Sequence, residues 1–251
     1  MVNGLLLINK PAGLTSHDVV EVIRRKLGVQ RVGHAGTLDP MAQGLLLLLV
    51  GSATTYQRIF QGHDKTYDAV LQLGTQTDTG DATGTPVRTA PVPPLETRDV
   101  AAILASFEGE RSQTPPVYSA VKVRGRPAYW WTRRHQPVVL APRMIRIVEL
   151  SLVRVAPGMV TFRVQCSAGT YVRTLAEAIA ERLGTVGHLT SLVRLSVGRW
   201  HVEEALSLDW IAQASSEALA HRLQPATEAG HPAIGWVADG SAEGRRPRPT
   251  R

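Results

Sequence analysis

The chain holds one cysteine, Cys166, so no disulfide can form within it. A reducing compartment, the cytoplasm, is the expected setting. Long apolar runs are missing as well. The longest purely aliphatic stretch, Leu45 to Val50, is far too short to cross a bilayer. The N-terminus passes from Met1-Val2-Asn3-Gly4 into Leu5-Leu6-Leu7-Ile8 with neither a basic leader nor a cleavage-site pattern. The eight histidines show no metal-ligand spacing, and there is no glycine-rich phosphate loop. No metal and no organic cofactor is therefore expected.

What is present is ordinary globular composition with a basic excess. The 251 residues are 43% hydrophobic and 20% charged, enough for a well-buried core in one large domain or two modest ones. Lysine and arginine outnumber acids by 28 to 21, for a net charge of +7. That excess attracts polyanions. With a membrane disfavoured, nucleic acid is the partner class that gains, although charge alone also suits a protein that is merely basic.

Hydrophobic period and capping residues give the elements. Gly4 to Asn9 reads as a buried strand. Thr15 and Asp18 form a capping-box pattern ahead of Val19, Val20, Ile23 and Leu27, and Gly28 stops that helix. Leu45 to Val50 reads as a central strand, and Tyr67 to Leu73 as a half-buried one. Thr75 to Thr85 reads as a hairpin connection, Val100 to Phe107 as a helix, and Tyr118 to Val123 as a strand. Pro127 opens a short helix with Tyr129, Trp130 and Trp131. A hairpin over Ile145 to Gln165 turns at Pro157-Gly158. A helix over Tyr171 to Leu183, a strand over Leu189 to Val197 and a helix from Ser207 towards Leu223 follow. Helices mixed with hairpin-linked strands predict an α+β domain on a mixed, largely antiparallel sheet with flanking helices.

The segment richest in chemistry is Gly33-His34-Ala35-Gly36-Thr37-Leu38-Asp39-Pro40. Gly33 and Gly36 allow a tight path or a close ligand. Pro40 pushes Asp39 towards extended angles, which aims its carboxylate. Taken alone, Asp-Pro reads first as an ordinary helix start, with Asp as cap and Pro as first residue.

The wider sequence weighs in. Residues 33–54 read GHAGTLDPMAQGLLLLLVGSAT, which resembles the active-site motif of the TruB-type transfer RNA pseudouridine synthases. The likeness recurs in order at Asn9 to Ser16, at Lys65-Thr66-Tyr67, at Thr75 to Asp81, at Pro115 to Ala120 and at Cys166 to Arg173. Several blocks in one order, spread over roughly residues 4–200, are far more specific than any one of them.

The resemblance implies a pseudouridine-synthase fold and the isomerisation of uridine-55 in the T-loop of transfer RNA. It places Asp39 as the catalytic carboxylate, Arg173 as its partner and Tyr67 against the extruded base. It puts His34 in the space that the flipped base leaves. Lys10 lies near the active site, Leu195 on the apolar wall of the base pocket, and Gly36 and Thr37 in the motif that meets substrate. Uracil must leave C1′, turn and rejoin through C5, with Asp39 as nucleophile or as base. No guide RNA and a monomer are expected.

Three departures stand out. Thr55 and Ala128 replace residues that the family usually has as lysine and leucine. The third concerns the C-terminus, where most members carry a small RNA-binding domain of the PUA type. The expected organisation is a catalytic domain over 1–225, with an RNA-binding insertion at about 85–145, and a short disordered tail over 226–251. Two rival readings are an RNA-binding or RNA-folding module whose isomerase activity is secondary or lost, and a guide-dependent member of the same superfamily.

Overall fold

A computed structural model describes residues 2–226. The expected tail lies outside them, apart from Ala226.

The chain opens with β1 (Gly4–Lys10), whose residues Leu5 to Ile8 are all buried. Helix α1 (Ser16–Leu27) starts on the expected capping box: Thr15 and Asp18 each bond the other's backbone N–H. It ends at Gly28, whose φ of 63° a side chain would strain. Val19, Val20, Ile23 and Leu27 face the core. Two short runs follow, β2 (Val32–His34) and β3 (Gln43–Val50). Gly44 to Val50 are all buried, because β3 is covered on both faces. A 3₁₀ turn (Gly51–Tyr56) leads into α2 (Gln57–Gly62). In β4 (Lys65–Leu73) every second residue is buried, the signature of a strand with one wet face.

The middle of the chain is more irregular. It contains β5 (Thr75–Thr77), β6 (Pro86–Thr89), α3 (Thr97–Ala105), β7 (Gly109–Gln113), β8 (Lys122–Val123), β9 (Arg126–Pro127) and α4 (Ala128–Thr132). The expected strand over Tyr118 to Val123 shrinks to β8. The reason is where its carbonyls go: Ser119 and Val121 accept from Tyr129 and Ala128, and Tyr118 accepts from Arg173. No ladder is left for them to join. The last third holds the hairpin β10 (Arg143–Ala156) and β11 (Met159–Cys166), then α5 (Val172–Arg182) and β12 (Gly187–Val197). It closes with β13 (Trp200–His201), a 3₁₀ turn (Val202–Glu204), β14 (Leu206–Ser207), α6 (Leu208–Gln213) and α7 (Ser216–Ala220). The single helix expected from Ser207 towards Leu223 is thus two. Ala214 is extended, and Ser215 caps a fresh start by accepting from the Ala218 N–H.

The main sheet runs β14-β1-β3-β12-β4-β11-β10-β7, with β2 on β3 and β13 on β12. Two joins are parallel, β14 to β1 and β3 to β12; the rest of the path is antiparallel. This is the expected mixed, largely antiparallel α+β sheet. Most of the apolar core packs α1 and α5 on one face, with Ile23, Leu175, Ala176 and Ile179 among its buried members. Part of the middle segment is built into the sheet, because β7 forms its edge beside β10.

The parallel join of β12 to β3 is made at Gly44, opposite Arg194. Gly44 has φ 97°, and a Cβ there would lie 2.2 Å from the Arg194 carbonyl oxygen. Only glycine permits that approach. Gly44→Ala combines backbone strain with overpacking and is expected to destabilise the protein by roughly 2–5 kcal/mol. Chemical denaturation checks this. An unchanged midpoint would mean that the two strands part without cost.

Candidate active site

The turn that carries Asp39 is pinned from behind. Leu38 is buried, and its N–H and carbonyl both bond Ser16 Oγ, at 2.9 and 3.2 Å, at the start of α1. The Pro40 carbonyl accepts from the Gly13 N–H at 2.8 Å. Lys10, wholly buried, gives its ammonium to the carbonyls of Pro11, Leu14 and Pro40, at 2.9, 2.7 and 3.4 Å. Burial lowers its pKa to about 8, against the opposing attraction of Asp39. No helix follows Asp39. Its carbonyl accepts from the Ala42 N–H to close a turn, so its side chain caps nothing and is left to face outward.

That side chain meets Arg173, the second residue of α5. Nε donates to Oδ2 at 2.8 Å and Nη2 to Oδ1 at 3.2 Å, a two-pronged contact. Nη1 donates to the Thr79 carbonyl at 2.5 Å, and Nη2 also reaches the Tyr118 carbonyl at 2.9 Å. The arginine side chain is 4% exposed and the aspartate 32%. A buried carboxylate, Asp81, lies 3.9 Å away and accepts from Thr79 and Thr83. Gln113 on β7 fixes the approach to α5 by bonding both backbone polar groups of Tyr171, at 2.8 and 3.0 Å.

Asp39 and Arg173 stand on the wall of a cavity of about 570 Å³ with Gly36, Thr37, Lys65, Tyr67, Leu192 and Arg194. Five residues predicted from sequence therefore converge there: Asp39, Arg173, Tyr67, Gly36 and Thr37. Tyr67 is buried on β4, and its hydroxyl is held neutral by desolvation, which raises its pKa, against the pull of Arg194. Lys10 lies behind the wall. His34, at the end of β2, is half-buried and does not line the cavity; its Nδ1 has no partner, and burial lowers its pKa.

Leu195 is not brought to the cavity. The apolar wall is Leu192, and Leu195 is half-buried away from it. Bulges in β12 between Leu189 and Ser191, and between Arg194 and Ser196, shift the phase of the strand.

Sequence reading also missed Arg194 and Lys65 as members of the site. Arg194 is 1% exposed and donates to the carbonyls of Leu45, Thr37 and Gly36 at 2.6, 3.4 and 3.1 Å. The available signal was a charge inside the strand expected over Leu189 to Val197.

A half-open cavity that sets a carboxylate against a fixed guanidinium, with further cations in its walls, is an enzyme site suited to an anionic substrate. The chain belongs to the TruB family of pseudouridylate synthases, whose N-terminal domain matches residues 24–172. A tRNA pseudouridine synthase B of Opitutus terrae is 43% identical over 234 residues, which is 93% of this chain and 97% of that protein. One of Burkholderia pseudomallei is 46% identical over 89% of this chain and 74% of its own. Among solved structures, a Cbf5-Nop10-Gar1 complex superposes with a TM-score of 0.67 at 27% identity, over 89% of this chain. The chain spans 60% of the length of that one.

Proposed function

We propose that the chain isomerises uridine to pseudouridine in transfer RNA, with Asp39 acting on the nucleoside. The observation that carries this reading is the two-pronged Arg173–Asp39 contact at the cavity wall, in a chain of the TruB family. The relatives named tRNA pseudouridine synthase B support transfer RNA as the substrate, and uridine-55 in the T-loop is the position we assign.

The target base leaves its stack and enters the cavity, which costs a few kcal/mol of stacking. Tyr67 lies against the base and Leu192 closes the wall behind it. His34 occupies the gap left in the RNA loop. Gly36 and Thr37 bring backbone close to the nucleoside. Lys10, with its ammonium already committed to three carbonyls, holds the Asp39 turn rather than a phosphate.

Residues 1–225 act as the catalytic domain, and the insertion at about 85–145 grips the RNA. Its exposed face supports that role: the Arg134 guanidinium lies 3.7 Å from the Trp130 ring centre and that of Arg133 5.5 Å from Tyr129. Such pairs offer both charge to phosphates and flat surfaces to bases. We assign the protein to the cytoplasm, as a monomer that needs no guide RNA.

The test is the purified chain, an unmodified transfer RNA transcript and an assay for pseudouridine. Product at uridine-55 without added RNA or protein is the expected outcome; none would exclude a stand-alone enzyme. Binding is expected to weaken steeply with salt, because the +7 charge releases counterions from the phosphates. A dissociation constant indifferent to salt would contradict the electrostatic part.

A further inference from the structure

Lys65 and Arg194 are buried cations, 7% and 1% exposed, and both line the cavity. Neither makes an ion pair with a carboxylate among the described residues. Lys65 Nζ donates to the carbonyls of Gln61 and His63, at 2.8 and 2.5 Å, and Arg194 donates to three carbonyls. The two flank Gly36: a Cβ built there would lie 3.6 Å from Arg194 Nη1 and 3.7 Å from Lys65 Cε. An uncompensated buried charge is costly, and two side by side more so. Both are also held by main-chain acceptors, so neither can swing out to water. A fixed cationic wall facing a cavity is the arrangement that favours negative charge arriving there.

Uridine isomerisation supplies such a charge. When the C1′–N1 bond breaks, its electron pair leaves with the base, spread over N1, O2 and O4. The ribose carbon is met by the Asp39 carboxylate or the sugar loses a proton to it. The base turns, C5 bonds to C1′, and the proton lost from C5 is balanced by one gained at N1. Between cleavage and rejoining, the base is an anion.

We propose that Lys65, with Arg194 beside it, stabilises the negative charge on the detached base. This rests on the isomerase reading above. It makes Lys65 an electrostatic catalytic group rather than a phosphate anchor.

The experiment compares wild type, Lys65→Met and Lys65→Arg in single turnover with saturating unmodified transfer RNA, alongside binding and thermal unfolding. Pseudouridine formation by the wild type is the control; its failure would count against the isomerase reading and not against this one. Lys65→Met is expected to bind RNA normally and lose roughly 10²–10³-fold in rate, as when one donor to a developing anion is removed, with Lys65→Arg recovering much of it. A transcript with 5-fluorouridine at the target, cleaved at mildly acidic pH, should shrink the Lys65→Met deficit, because its base is the better-stabilised anion. Weakened binding with an unchanged saturated rate would overturn the proposal. So would equal losses in both variants, or an equal deficit on both substrates.

If Lys65→Met does not fold, pH decides. The groups acting on the ammonium are Arg194, Cys166 and Asp64, with the His63 imidazole beside them. Burial first, and then Arg194, lowers the Lys65 pKa to about 8. The cation is therefore lost as pH rises through about 8, and the wild-type rate should fall there while that of Lys65→Arg persists to higher pH. The same descending limb in both would overturn the proposal.

Discussion

Asp39→Asn is expected to bind transfer RNA with nearly wild-type affinity and to form pseudouridine roughly four orders of magnitude more slowly, the loss typical of removing a central catalytic group. Phosphate contacts carry the affinity and survive. The amide keeps the size of the carboxylate but loses its charge, and its NH₂ would face one of the two Arg173 donors. The contact drops from two prongs to one. Asparagine is as good a helix cap as aspartate, so a merely structural Asp39 would tolerate the change, and no helix begins there in any case. Single-turnover rates, with binding and unfolding controls, decide the matter. A folded, RNA-binding Asp39→Asn that works at near the original rate would overturn the role given to Asp39.

Arg173→Lys is the second large effect. Truncating this arginine would leave Asp39 and the buried Asp81 without their cation and the Thr79 and Tyr118 carbonyls without its donors. Breaking such a pair costs roughly 3–5 kcal/mol, a large share of a typical domain's stability. Lysine keeps the charge and removes the fork. It cannot serve both carboxylate oxygens and the two carbonyls at once. Asp39 then loses its fixed direction, and a rate loss of roughly 10²-fold is expected, the size of effect that a misplacement of about 1 Å produces. Affinity for RNA should hold. A lysine variant with full activity would show that charge alone, without the fork, suffices at Asp39.

Where an element is governed by its own residues, sequence reading located it. The Thr15–Asp18 box and Gly28 bracket α1 because caps act within a few residues. The alternation of β4 shows because one face is wet, and the run Leu45 to Val50 because both faces of β3 are covered. The features that escaped depend on distant partners. Tyr118 leaves a strand to serve an arginine 55 residues away. The resemblance put Leu195 on the cavity wall, whereas the bulged strand β12 sets Leu192 and Arg194 there. Lys65 looks like a solvated strand end until the cavity beside it is known. Asp39 and Arg173 were found through motif resemblance; their spacing of 134 residues carries no local signal.

The position of β12 also sets the order in which the protein can be made. It lies between β3 and β4, yet it is synthesised more than a hundred residues after either. A growing chain therefore holds two half-sheets, one around β1 and β3 and the other around β4, β11 and β10, with nothing to join them. The two coexist unjoined while residues 167–186 are made, on the order of a few seconds at ~5–20 residues per second of translation. During that interval the Gln43–Gly44 end of β3, which β2 leaves free, and the β12 side of β4 are open strand edges, the surfaces most prone to wrong pairing. Insertion of β12 closes both edges at once and delivers Arg194 to the Gly36 turn in the same movement. A ribosome-bound fragment ending before β12 accordingly holds Asp39 but lacks Leu192 and Arg194, two residues of the cavity wall.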